Sequence, residues 1–145
     1  MKFISSNYDP EKGKSNVIMQ HLGKKFAGFA NLHPDDIENA SSYAGCELAE
    51  LRAQVEALKY ERKIAKQKSD EALDFIKACE SYAKFDPESD TAKVMYRQLN
   101  RRIKRVNDIT DQINDLLEEI KTFGQRRQII INAIKRKKEL SKKDK

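Results

Sequence analysis

Between Cys46 and Lys84 the chain has no glycine and no proline, and apolar residues recur at steps of three and four: Leu48, Leu51, Val55, Leu58, Ala65, Ala72, Phe75, Ile76 and Cys79. From about Gly45 to Tyr82 that spacing draws one apolar stripe along a helix of roughly ten turns, about 55 Å long. Such a helix is longer than a compact domain needs, and its stripe requires a cover, so a helical hairpin is the expected solution. Arg62 and Ser69 interrupt the stripe, which makes the seam there thinner or polar.

A covering helix follows in the sequence. The first helix breaks at Ala83 to Asp86, Asp86 suits an N-cap and Pro87 a first helical position, and Glu88 and Asp90 put negative charge in the first turn. Beyond them Ala92, Leu99, Ile103, Val106, Thr110, Ile113, Leu117, Ile120, Gly124, Arg127, Ile131 and Ile134 keep a 3-4 spacing, the pattern of a coiled-coil seam. Gly124 and Arg127 weaken it toward the end.

The part before the helices reads as extended. Lys2 to Tyr8 predicts a strand, Asp9-Pro10-Glu11-Lys12-Gly13 a turn, and Ser15 to Gln20 a second strand. After a reversal at Gly23, the alternation of Phe26, Gly28, Ala30 and Leu32 with Lys25, Ala27, Phe29 and Asn31 predicts a third. A meander of this size buries little alone and must lie on the helices or on another copy of the chain. His33-Pro34 ends it. The expected fold is α+β: a small antiparallel β-meander over 1–40, then a long antiparallel two-helix coiled-coil hairpin over 41–145 with its tip near 83–90 and a basic tail, one domain overall.

Several chemistries find no support in these residues. Asp35 and Asp36 follow a proline as ordinary helix-start residues. Cys46 and Cys79, about 50 Å apart on one helix, cannot form an intramolecular disulfide and read as small buried apolar residues. With only His21 and His33 beside them, no zinc pattern forms. A phosphate loop, a nucleophile elbow and a histidine-centred triad are all missing, and Glu118 and Glu119 face different directions on their helix. The expectation is therefore a binding protein rather than an enzyme, with no catalytic residue, no metal and no cofactor. No run of about 18 apolar residues exists and the first residues do not form a signal peptide, so a cytoplasmic protein without a membrane partner is expected.

Charge is unevenly placed. Residues 1–90 hold 13 Lys/Arg against 16 Asp/Glu, whereas residues 91–145 hold 16 against 7. The basic second half suggests an anionic partner, although the tail Lys135-Arg136-Lys137-Lys138 also reads as a solvated terminus. At the tip, Arg97, Arg101 and Arg105 are spaced by four with Lys93 a turn earlier, and Arg102 and Lys104 flank them. Such a ladder suits bidentate phosphate contacts, Tyr82 and Phe85 offer faces for a base to stack on, and Thr91 stands where a helix start offers backbone donors. The same residues admit another reading, in which the aromatics plug the hairpin end and the arginines pair with acids of the first helix. Either way an isolated tip is too open to enclose a small ligand, and a pocket there needs the N-terminal sheet or another subunit.

The strings Tyr8-Asp9-Pro10-Glu11-Lys12-Gly13-Lys14-Ser15 and Leu32-His33-Pro34-Asp35-Asp36, the stretch from Ala40 to Ala53 and the segment from Ser81 to Lys93 together resemble the phage Thoeris anti-defence sponges of the first-described type. The resemblance covers nearly the whole chain in order. It implies a small sheet and two long helices assembled as a dimer or hexamer. It also implies binding of glycocyclic ADP-ribose, an immune messenger, which is sequestered without cleavage in the cytoplasm of an infected bacterial host. Some members also take cyclic oligonucleotides at a separate site. The resemblance implies aromatic and arginine contacts from the hairpin segment and matches Thr91-Ala92-Lys93 and Arg97 to the family's basic segment, with Lys93 standing where many relatives have arginine. Together with the tip residues above, the expected ligand residues are Tyr82, Phe85, Thr91, Lys93, Arg97, Arg101 and Arg105. The competing reading is a basic coiled-coil protein that binds nucleic acid, and a third is a structural adaptor.

Overall fold

A computed structural model describes residues 1–31 and 42–143 of the chain. Three strands, β1 (Lys2–Asp9), β2 (Lys14–His21) and β3 (Lys24–Asn31), precede two helices, α1 (Ser42–Glu80) and α2 (Asp90–Lys143). The strands form one antiparallel sheet in the order β1-β2-β3, and the two long helices pack against each other, so the α+β reading holds. Leu32, His33, Pro34, Asp35 and Asp36 lie outside the described residues.

Turn chemistry sets the sheet register. Asp9 Oδ1 accepts hydrogen bonds from the backbone amides of Glu11 and Lys12, and Gly13 closes the first turn at φ 62°. The second reversal is tighter: Leu22 and Gly23 take φ 52° and 77° between the paired residues His21 and Lys24, the arrangement of a type I′ turn. Register then places Ser15, Val17 and Met19 of β2 opposite Ala30, Gly28 and Phe26 of β3 on one face. That face is the buried one, and Phe29 on the other face stays exposed. The irregularity between Phe3 and Ser5 leaves Ile4 out of the ladder at the edge.

By its contacts the chain divides into two compact units, one of 1–57 with 114–145 and one of 58–113. In the first, Val17, Met19 and Ala30 share a core with Leu48, Ala49 and Ala53 of α1 and Phe123 of α2, with Cys46 and Ile120 packed against it. Small residues set the separation there. A Cβ on Gly28 would fall 1.9 Å from the carbonyl oxygen of Ala49 and 2.5 Å from the amide nitrogen of Ala53, so β3 lies backbone to backbone on α1. Both cysteines are free thiols and only half-buried, less covered than the sequence reading expected.

In the second unit the cross-helix bonds run antiparallel toward the turn: Arg105 to Glu61, Arg102 to the carbonyl of Lys68, and Tyr96 to Glu80. The seam itself differs from the expected one. Ala92, Leu99, Val106, Ile113 and Ile120, every seventh residue, are buried or half-buried as expected. Of the companions expected four residues on, Thr110 is half-buried as expected but Leu117 and Gly124 are exposed, and Ile109, Leu116 and Phe123, three residues on, are buried or half-buried. Both offsets lie on one helix face; Ile109 and Phe123 bring larger apolar side chains than Thr110 and Gly124, whereas between Leu116 and Leu117 the rotation of the helix decides. Ile103 and Leu117, expected in the seam, are accordingly exposed, as is Phe75 of α1, whose neighbour Ile76 turns inward instead. The side chains of Arg127, Ile131 and Ile134 lie outside the described residues.

The hairpin end also differs in detail. α1 ends at Glu80, and the second helix is capped by Ser89 and not by Asp86: Ser89 Oγ accepts the Ala92 amide at 3.2 Å. Asp86 instead holds the turn, accepting the Glu88 amide on its carboxylate and the Ser89 amide on its carbonyl. Pro87 sits in that turn rather than at the first helical position.

Candidate functional site

The seven residues singled out from the sequence all belong to the unit of 58–113. Tyr82 and Phe85 are joined through the turn, the Phe85 amide donating to the Tyr82 carbonyl at 3.0 Å. Tyr82 is 72% exposed, whereas Phe85 is half-buried. Thr91 lies exposed in the first turn of α2, where Ser89 already takes the Ala92 and Lys93 amides.

The cations form a row rather than a cup. From Lys93 to Arg105 they span about 18 Å of helix. Lys93 Nζ lies 3.9 Å from Glu88, and Arg97 folds back so that its Nε donates to the Lys93 carbonyl at 3.4 Å. Arg105 is bound to Glu61 of α1, and Arg102 donates to the Lys68 carbonyl at 2.9 Å. Arg101 has no ion pair among the described residues. The reading in which arginines pair with the first helix therefore accounts for Arg105, and leaves Arg101 and the exposed Tyr82 without a structural task. Nearby, the Tyr96 hydroxyl donates to Glu80 Oε1 at 2.8 Å, and this bond to a carboxylate holds the phenol above its ordinary pKa of 10.0.

The same unit contains a groove of about 600 Å³ that shares none of these seven residues. Its α1 side is lined by Lys59, Arg62, Lys63, Lys66, Ser69 and Asp70, and its α2 side by Ile103, Val106, Asn107 and Thr110. It lies where Arg62 and Ser69 break the α1 stripe and Ile103 is left 42% exposed. The sequence signal was the interrupted stripe. It marked a thin seam, but the missed shift of the α2 companions hid the opening beside it.

Among the described residues no group of histidine, cysteine and carboxylate side chains could hold a metal, and no helix is long and apolar enough to cross a membrane. Comparison with protein-family models, curated proteins and solved structures finds no match for this chain.

Proposed function

We propose that this chain captures a cyclic nucleotide messenger, of the glycocyclic ADP-ribose kind, and withholds it without cleaving it. The observation that carries the reading is the exposed Tyr82 ring in the turn together with Arg101, eleven residues into α2 and committed to no acid, within one compact unit. An aromatic face and a guanidinium group are the two chemistries that a nucleotide calls for, one for the base and one for the phosphate. The resemblance to phage anti-defence sponges points the same way. On this reading the protein works as a homo-oligomer, a dimer or hexamer, in the host cytoplasm, and a second copy closes the pocket that an isolated hairpin end leaves open.

The test is release. Pure protein is incubated with the messenger, freed of unbound ligand and heat-denatured, and the supernatant is analysed. Intact messenger in stoichiometric amount is the expected result; a degraded product would make the protein an enzyme, and none at all would remove the reading. The alternative, a basic coiled-coil protein binding nucleic acid, is favoured by the excess of cations over residues 91–145. It requires affinity for duplex or single strands that falls steeply with salt and ignores cyclic nucleotides.

A further inference from the structure

We infer that the groove between Lys59–Asp70 of α1 and Ile103–Thr110 of α2 is a binding site for a ligand carrying linked phosphates next to an apolar ring, a nucleoside diphosphate in its simplest form. This goes beyond the capture proposed at the hairpin end, because the two places have no residue in common.

Three observations meet in the groove. Lys59, Arg62, Lys63 and Lys66 recur at offsets of three, four and seven, which sets four cations on one strip about 10 Å long. Arg62, Lys63 and Lys66 have no ion pair among the described residues, and Asp70 is the only acid of the lining. A strip of that charge favours two or more phosphates held together over a single phosphodiester. Facing the strip, Ile103 and Val106 give an apolar wall, with Ile103 still in contact with solvent although its sequence position belongs to a seam. Covering it with the flat face of a base or ribose removes apolar surface from water. Asn107 adds both an amide donor and an acceptor, and Thr110, whose hydroxyl donates to the Val106 carbonyl at 3.0 Å, keeps its lone pairs for a ligand.

Size decides between a small ligand and a polymer. The groove is open to solvent, and its volume of about 600 Å³ is in the range of small-molecule sites, roughly 300–1,000 Å³. A nucleic-acid strand would call for stacking aromatics, and this lining has none.

The test is calorimetric titration of the full chain with ADP, with pyrophosphate and with adenosine, at low and moderate salt. Binding of ADP tighter than pyrophosphate, and of both tighter than adenosine, is expected. Lys63→Glu with Lys66→Glu, both exposed and so harmless to folding by circular dichroism, should weaken ADP about tenfold or more. Ile103→Ser should weaken ADP and leave pyrophosphate unchanged, which separates the apolar wall from the charge. Tyr82→Ala with Arg101→Ala should leave ADP binding as it is, and this keeps the groove distinct from the hairpin end. Absence of ADP binding, loss of it in the hairpin-end variant alone, or displacement of ADP by a single-stranded oligonucleotide at equal phosphate concentration would each overturn the assignment.

Discussion

Gly28 and Gly124 show how one residue type does opposite things in one chain. A methyl group at Gly28 meets α1 backbone at 1.9 Å, and backbone cannot swing away as a side-chain end can. Gly28→Ala should therefore push β3 off α1 and cost about 1–3 kcal/mol in urea unfolding. At Gly124, inside α2, an added Cβ meets nothing within 4 Å, so Gly124→Ala should stabilise by up to about 1 kcal/mol through helix propensity alone. Equal effects at the two sites would mean that the packing of β3 on α1 is wrong. Tyr96 offers a second residue-scale check. Its phenol is raised in the folded chain because it donates to Glu80, so the unfolded chain loses that proton first as pH rises. The resulting stability is complete below the unfolded value of 10.0 and fades as pH climbs through the higher folded one. Ultraviolet titration should find one tyrosine deprotonating late, and Glu80→Gln should bring it back toward the others.

At the scale of elements, the strands, both helices and the break between them could be read from period and turn residues. The strand alternation, the turn at Asp9–Gly13 and the uninterrupted run after Cys46 are local signals, and local signals survive folding. What could not be read was any choice between near-equivalent positions. Asp86 and Ser89 are both good caps, and only the turn that commits Asp86 to Glu88 and Ser89 leaves Ser89 for Ala92. Ile109 and Thr110 are neighbours, and that Ile109 is fully buried while Thr110 is only half-buried depends on the rotation of α2 against α1. The same applies to the cations. Their four-residue spacing was visible, but the binding of Arg105 to Glu61, 44 positions away, is a tertiary fact. Ser89→Ala should accordingly lower stability by about 1 kcal/mol, with reduced helix signal at the start of α2 in amide exchange, whereas Arg105→Ala, which takes a partner from a Glu61 side chain only 13% exposed, should cost about 1–3 kcal/mol.

For the molecule as a whole, capture and nucleic-acid binding make different demands on stability. A ligand that binds only the folded chain stabilises it by about 2.7 kcal/mol at a hundredfold excess over its dissociation constant. For a chain of 145 residues that corresponds to a rise in Tm of roughly 5–10 °C. If the messenger seats at the hairpin end, the rise belongs to the melting of residues 58–113, the unit that contains Tyr82 and Arg101, and amide protection should increase there first. The shift should persist in moderate salt, because stacking on Tyr82 is not screened. Nucleic-acid binding through the basic second half predicts the reverse: no response to the messenger, and a shift with duplex that vanishes as salt releases no further counterions. A messenger-induced rise that Tyr82→Ala and Arg101→Ala together abolish, while the unliganded Tm stays put, is the outcome that capture requires, since both side chains are exposed and neither supports the fold.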